Sequence, residues 1–214
     1  MKTIQSYIKT NKPFNVKHYY KNQIKTFKIK DFVIGDNWKE AISLFLYWAA
    51  PAFLTVVIVE NLSETRTVEY YRQAISQGVG PVLWNFIAVF GCATFGISFI
   101  FNRVKLFSNI AHQLLINVYS IGSLNFGILF GQFVMLSPDL IEKVELWKLF
   151  IVFPLSYLLL AFVFLLNLSM WYLSHLIRWE SPFLEKLSSV SWFFRFLLGS
   201  IFSSTFLFLL WIEN

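Results

Sequence analysis

Charge is what this sequence has least of. Asp, Glu, Lys and Arg make up 14% of its 214 residues, while 57% are hydrophobic. Soluble domains carry roughly 25% charged residues, so composition excludes an ordinary water-soluble globule. Cysteine is nearly missing as well. The single Cys92 lies in an apolar run and excludes an internal disulfide. No HExxH, G-x-S-x-G or P-loop occurs. His18, His112 and His175 are far apart and have no Cys or His neighbour, so neither a metal site nor a cofactor is expected. The long apolar runs carry no carboxylate, lysine or arginine away from their ends. Ion-coupled transporters and proton pumps need such groups inside the membrane, and an enzyme needs a base of tuned pKa, so the chain reads as non-enzymatic.

What the sequence has in abundance is uncharged length. Leu106 to Pro138 is 33 residues without a formal charge, and a bilayer core needs about 20 apolar residues as helix. At about 100° per residue, Gln113, Asn117, Ser120, Leu124, Gly127 and Gly131 fall on one face. Lipid offers amides no partner, so this face should meet protein or water. Gly127 and Gly131 form G-x-x-x-G, and Ser123 extends the small-residue row by a turn. Small residues at that spacing let helices approach closely, which marks this face as the centre of a bundle or of a homo-oligomer.

The other runs complete an all-α, polytopic transmembrane bundle over residues 38–214, preceded by a basic head over residues 1–37. The first span covers Ala41 to Val59 and contains Pro51; Asn37 and Glu40 have capping-box spacing before it. A polar loop with a short surface helix (Val68, Tyr71, Ile75, ended by Gly78) leads to the second span, Pro81 to Phe101, with a small stripe at Ala88, Cys92 and Gly96. The Asn61 sequon is read as a chance match. The third span should end at Ser137-Pro138, where Ser137 opens a short amphipathic helix reaching Trp147. The fourth lies within Leu149 to Ile177. Its collar of Trp171, Tyr172, His175, Arg178 and Trp179 reads as a headgroup-level anchor. Ser181-Pro182 starts another helix with Phe183, Leu184 and Leu187 on its apolar side. Arg195 interrupts the last run, leaving Phe196 to Ile212 as a fifth span with Gly199 and Ser203 four apart. Four spans remain the alternative, with the last run interfacial or re-entrant.

The formal charge of +6 belongs to the first 40 residues, the head and the lead-in to the first span, which hold nine lysines against Asp31, Asp36 and Glu40. The head has no apolar core of signal-peptide type, so no cleaved leader is expected. Lys25 to Ile34 alternates apolar and basic residues and predicts a short strand; Val16, Tyr20, Ile24 and Phe27 also fit one helical face. Lys17, Lys21, Lys25, Lys28 and Lys30 either lie against anionic lipid headgroups or dock an acidic cytosolic partner. The head contains no arginine for bidentate contacts, so direct nucleic-acid binding is not expected. Basic residues cluster in the head, the 103–105 turn and the 178–195 segment, against Arg66, Arg72, Lys143 and Lys148 on the other side. The positive-inside rule then places the N-terminus in the cytoplasm of a bacterial inner membrane.

Three non-enzymatic classes fit: a sensor or anchor that oligomerises and holds a cytosolic effector, a small channel lined by Gln113 and Asn117, and an immunity protein against a membrane-active bacteriocin or toxin. In length, charged head (Met1 to Asn37), spans from Ala41 onward and lack of a catalytic motif, the chain resembles the membrane subunit of the Kiwa antiphage defence system. That resemblance implies detection of membrane disturbance at phage entry, with an effector docked inside; the fifth span departs from the four associated with that family. Polytopic colicin immunity proteins are the next resemblance.

Overall fold

The computed structural model describes residues 16–34, 37–62, 66–76 and 79–213. The apolar runs become helices because a backbone in hydrocarbon must satisfy its own N–H and C=O groups. In chain order the helices, polar and apolar, are α1 (Val16–Ile24), α2 (Trp38–Asn61), α3 (Arg66–Ser76), α4 (Val79–Ile100), α5 (Lys105–Lys143), α6 (Leu146–Leu176), α7 (Pro182–Ser189) and α8 (Trp192–Glu213), with a 3-10 turn at Ile29–Phe32. No strand occurs among the described residues. Four helices, α2, α4, α5 and α6, are long and apolar enough to cross a membrane; the described apolar part of α8, Trp192–Phe208, is shorter than that length.

α5 is the hub. It packs against α2, α4 and α6, and α8 packs against α4. α2 runs parallel to α5, with Ala41 beside Tyr119 and Ala49 beside Gly127. α4 runs antiparallel to α5, placing Gly91 by Leu115 and Trp84 by Gly122. α8 crosses α4 closely where Gly96 meets Gly199; a Cβ at Gly96 would stand 2.7 Å from the Gly199 carbonyl oxygen. The predicted stripe of Ala88, Cys92 and Gly96 is buried, Cys92 against Met170 of α6. α6 turns Leu155, Leu158, Phe162 and Leu165 outward, the surface lipid would cover. At the end away from α1, the Arg72–Glu60 ion pair (3.3 Å) ties α3 to α2.

Several local expectations change. The segment read as a strand forms the 3-10 turn instead. The Lys28 N–H donates to Asp31 Oδ2 at 2.8 Å and folds the chain back on itself. Asn37 makes no side-chain cap. The third span does not stop at Pro138, and no separate helix joins Ser137 to Trp147. α5 continues to Lys143 over 39 residues, roughly 58 Å of helix. Pro138 is exposed near the end of α5, where losing one backbone bond is least costly, and Ser137 donates to Phe133 O at 2.6 Å. Arg195 lies inside α8, which begins at Trp192 rather than Phe196. Gly78, the expected stop of α3, lies outside the described residues. Ser181 caps α7 as expected, accepting from Leu184 N at 3.1 Å, with Phe183, Leu184 and Leu187 buried.

Candidate functional site

The polar face predicted on α5 divides into two parts. Ser123, Gly127 and Gly131 are buried, and the glycines lie against the chain's own α2: Gly127 on the backbone of Ala49, Gly131 on Val56. Gln113 and Asn117 are exposed, and Ser120 turns back to donate to Ile116 O at 3.1 Å. The division follows from where α2 begins. Ala41 lies level with Tyr119 and α2 begins one turn earlier, at Trp38, so α2 reaches no further along α5 than about Ile116, which leaves Gln113 beyond it and Asn117 beside its first turn.

Beneath α2 a polar chain links three helices. Tyr119 Oη donates to Ala41 O at 2.8 Å, and Ser123 Oγ donates to Tyr119 O at 2.7 Å. Asn167 of α6 donates through Nδ2 to Tyr119 O at 3.1 Å and to Ser123 Oγ at 3.0 Å. Asn167 was not among the residues singled out by sequence. Its signal was there, an amide in the middle of an apolar run, the kind of group that needs a partner helix.

The aromatic collar at the end of α6 is corrected most. Trp171 and His175 are 0% and 5% exposed, so they are core residues and not headgroup anchors. The start of α2 and the head close over them: Trp38 packs on Trp171 at 5.5 Å between ring centroids, and Tyr172 Oη donates to Phe32 O at 3.0 Å. The histidines, distant in sequence, meet here. His112 and His175 stand edge to face at 5.7 Å. His112 Nδ1 donates to Ser174 O at 2.9 Å, and His175 Nδ1 donates to Trp171 O at 3.0 Å, since a carbonyl can only accept. His175 Nε2 faces Glu40 Oε2 at 4.0 Å. Among the described residues no three of His, Cys, Asp and Glu are placed to hold a metal ion. A cavity of about 380 Å³ opens beside His175, walled by Asp31, Asn37 and Arg178.

The head itself is docked rather than loose. Tyr19 hydrogen-bonds Ser191 through its hydroxyl, and Gln23 Oε1 accepts from Ser191 N at 3.0 Å. Tyr20 packs on Phe194, and Phe27 and Phe32 both pack on Phe183. Lys21, Lys25, Lys28 and Lys30 are all exposed. Asp31, the only carboxylate among the described head residues, is buried at 4% exposure, so the face presented outward is basic. The side chain of Lys17 lies outside the described residues. No family model, curated protein or solved structure matches the chain.

Proposed function

We propose that this is a non-enzymatic, multi-pass subunit of a bacterial inner membrane that holds a cytosolic effector at its basic head. The observation that carries the reading is the pairing of the head's two faces. Its outward face bears Lys21, Lys25, Lys28 and Lys30, while its inward face is pinned to α6, α7 and α8 through Tyr172, Phe183 and Phe194, and to the α7–α8 turn through Ser191. A lysine arm that only attracts lipid needs no such fixture. A platform that reports the state of the bundle to a bound protein does. In this reading the N-terminus is cytoplasmic, copies of the chain assemble through the exposed amides of α5, and the likeness to the Kiwa membrane subunit points to antiphage defence.

Charge reversal tests it. Lys21, Lys25, Lys28 and Lys30 changed together to Glu should abolish co-purification of a cytosolic protein cross-linked to the tagged chain in native membranes, with insertion unchanged. Retention of the cross-linked partner would reduce the head to a lipid-facing arm. A second reading, a small channel, is favoured by the outward position of Gln113 and Asn117; ion flux through proteoliposomes that vanishes with Leu at both positions would support it over the first.

A further inference from the structure

We propose that the cavity between α4, α5 and α6 binds a neutral lipid with free hydroxyl groups, of the monoacylglycerol type, taken head first from the bilayer. The cavity measures about 180 Å³ and lies among Trp84, Gly122, Asn125 and Asn167. Its floor is Gly122. A Cβ there would stand 2.6 Å from both Trp84 Nε1 and Asn167 Cγ, so an N–H donor and an amide converge on a point that only glycine leaves open.

The polar atoms around that point are unpaired. Trp84 Nε1, Asn125 Oδ1 and Asn167 Oδ1 are buried without a hydrogen-bond partner. Asn167 is 1% and Asn125 7% exposed. The orientation of Asn167 is fixed by its surroundings. Its nitrogen faces Tyr119 O, which can only accept, so its oxygen turns to the Gly122 floor of the cavity and is the first atom a Cβ there would meet. Orphaned polar groups inside hydrocarbon are costly, and buried groups in native structures normally find partners.

The chemistry of the lining selects the occupant. No ionisable side chain contributes to the wall, which disfavours a charged headgroup. The unpaired set is one donor and two acceptors. A hydroxyl matches two of them with a single oxygen, accepting from Trp84 and donating to Asn167, and a second hydroxyl serves Asn125. Leu129 and Leu166 stand at the rim and are 39% and 40% exposed on the lipid-facing surface. An acyl chain leaving between them continues into the bilayer.

The test uses the full chain in phospholipid nanodiscs and a monoacylglycerol carrying a diazirine in its acyl chain. After irradiation, mass spectrometry should place the label on the α5 and α6 segments around Leu129 and Leu166, competed by unlabelled monoacylglycerol. Labelling should fall at least tenfold with the diacetyl ester of the same probe, which keeps acceptors but has lost its donors. It should fall equally with Leu129→Trp, which closes the rim without touching the buried amides. Asn167→Leu serves as a second variant, read only where its thermal melt matches the parent chain. Equal labelling by the diacetyl ester, labelling spread evenly over the lipid-facing surface, or undiminished labelling of Leu129→Trp would each overturn the site. So would a high-resolution structure at saturating monoacylglycerol with water alone bridging Trp84 and Asn167.

Discussion

The Cα of Gly127 lies so close to α2 that a Cβ placed on it would stand 2.9 Å from the Ala49 Cα, backbone against backbone. The nearest atoms belong to the main chain, so no flexible side chain can move aside. Gly127→Ala should therefore force α2 off α5 and cost about 1–3 kcal/mol by overpacking. Gly127→Leu should yield degraded or aggregated protein and not a folded monomer. Thermal melts monitored by size-exclusion chromatography decide this. A Gly127→Leu chain that inserts and melts like the parent would mean that α2 does not occupy this face.

The amides at the other end of the same face have a different fate. Gln113 lies beyond the start of α2 and Asn117 beside its first turn, and both are exposed. An amide turned to hydrocarbon seeks another amide, and such contacts are worth roughly 0.6–2 kcal/mol in membranes. Gln113→Leu with Asn117→Leu should leave the subunit folded while shifting native mass spectra in mild detergent toward monomer. An unchanged oligomer distribution would remove these residues from any subunit contact.

How much of this was legible in the sequence depends on the range of the interaction. The spans, the buried stripe of α4 and the capped start of α7 follow from local hydropathy, small-residue spacing and Ser-Pro chemistry, all written within one or two turns. The Lys25 to Ile34 alternation was equally clear, but a lone strand has no ladder to join, and the bond from Lys28 to Asp31 closed a tighter turn instead. Helical periodicity put Gln113 and Gly127 on one face correctly. It could not tell where α2 would start, and that register decides which of them is covered. The burial of Trp171 and His175 was hidden for the same reason. Nothing near them in sequence announces that the start of α2 and the head close over them. The meeting of His112 with His175 likewise depends on how α5 and α6 pair.

The grouping of chain ends gives a topology experiment. Phe27 packs on Phe183, and Asn102 meets Arg195, so the head, the α4–α5 turn and α7 share one end of the bundle. The α5–α6 turn near Glu145 lies at the other. Cysteine labelling with a membrane-impermeant maleimide, on a Cys92→Ala background, should give one result at Lys30, Val104 and Glu185 and the opposite at Glu145. Under the positive-inside rule the first three are cytoplasmic. Labelling of Lys30 and Glu185 on opposite sides would break the helix pairing itself.

The last expectation concerns a buried cation. Arg195 is 7% exposed, its guanidinium hydrogen-bonds Asn102 Oδ1, and its Nε has no partner. Among the described residues no carboxylate forms an ion pair with it. Two substitutions that delete the same contact should then behave differently. Asn102→Leu leaves a desolvated charge without its main acceptor, and loss of a hydrogen bond to a charged group costs about 1.5–3 kcal/mol. Arg195→Leu removes the charge along with the contact. Replacing a buried ionic group by an apolar one of similar volume is often neutral or stabilising. Thermal melts in the same detergent should place Asn102→Leu well below the parent chain and Arg195→Leu at or above it. The double variant should track Arg195→Leu, because the cost of losing Asn102 exists only while the cation is present. Equal losses for the two single variants would show that the pair matters for its packing and that the guanidinium keeps its water.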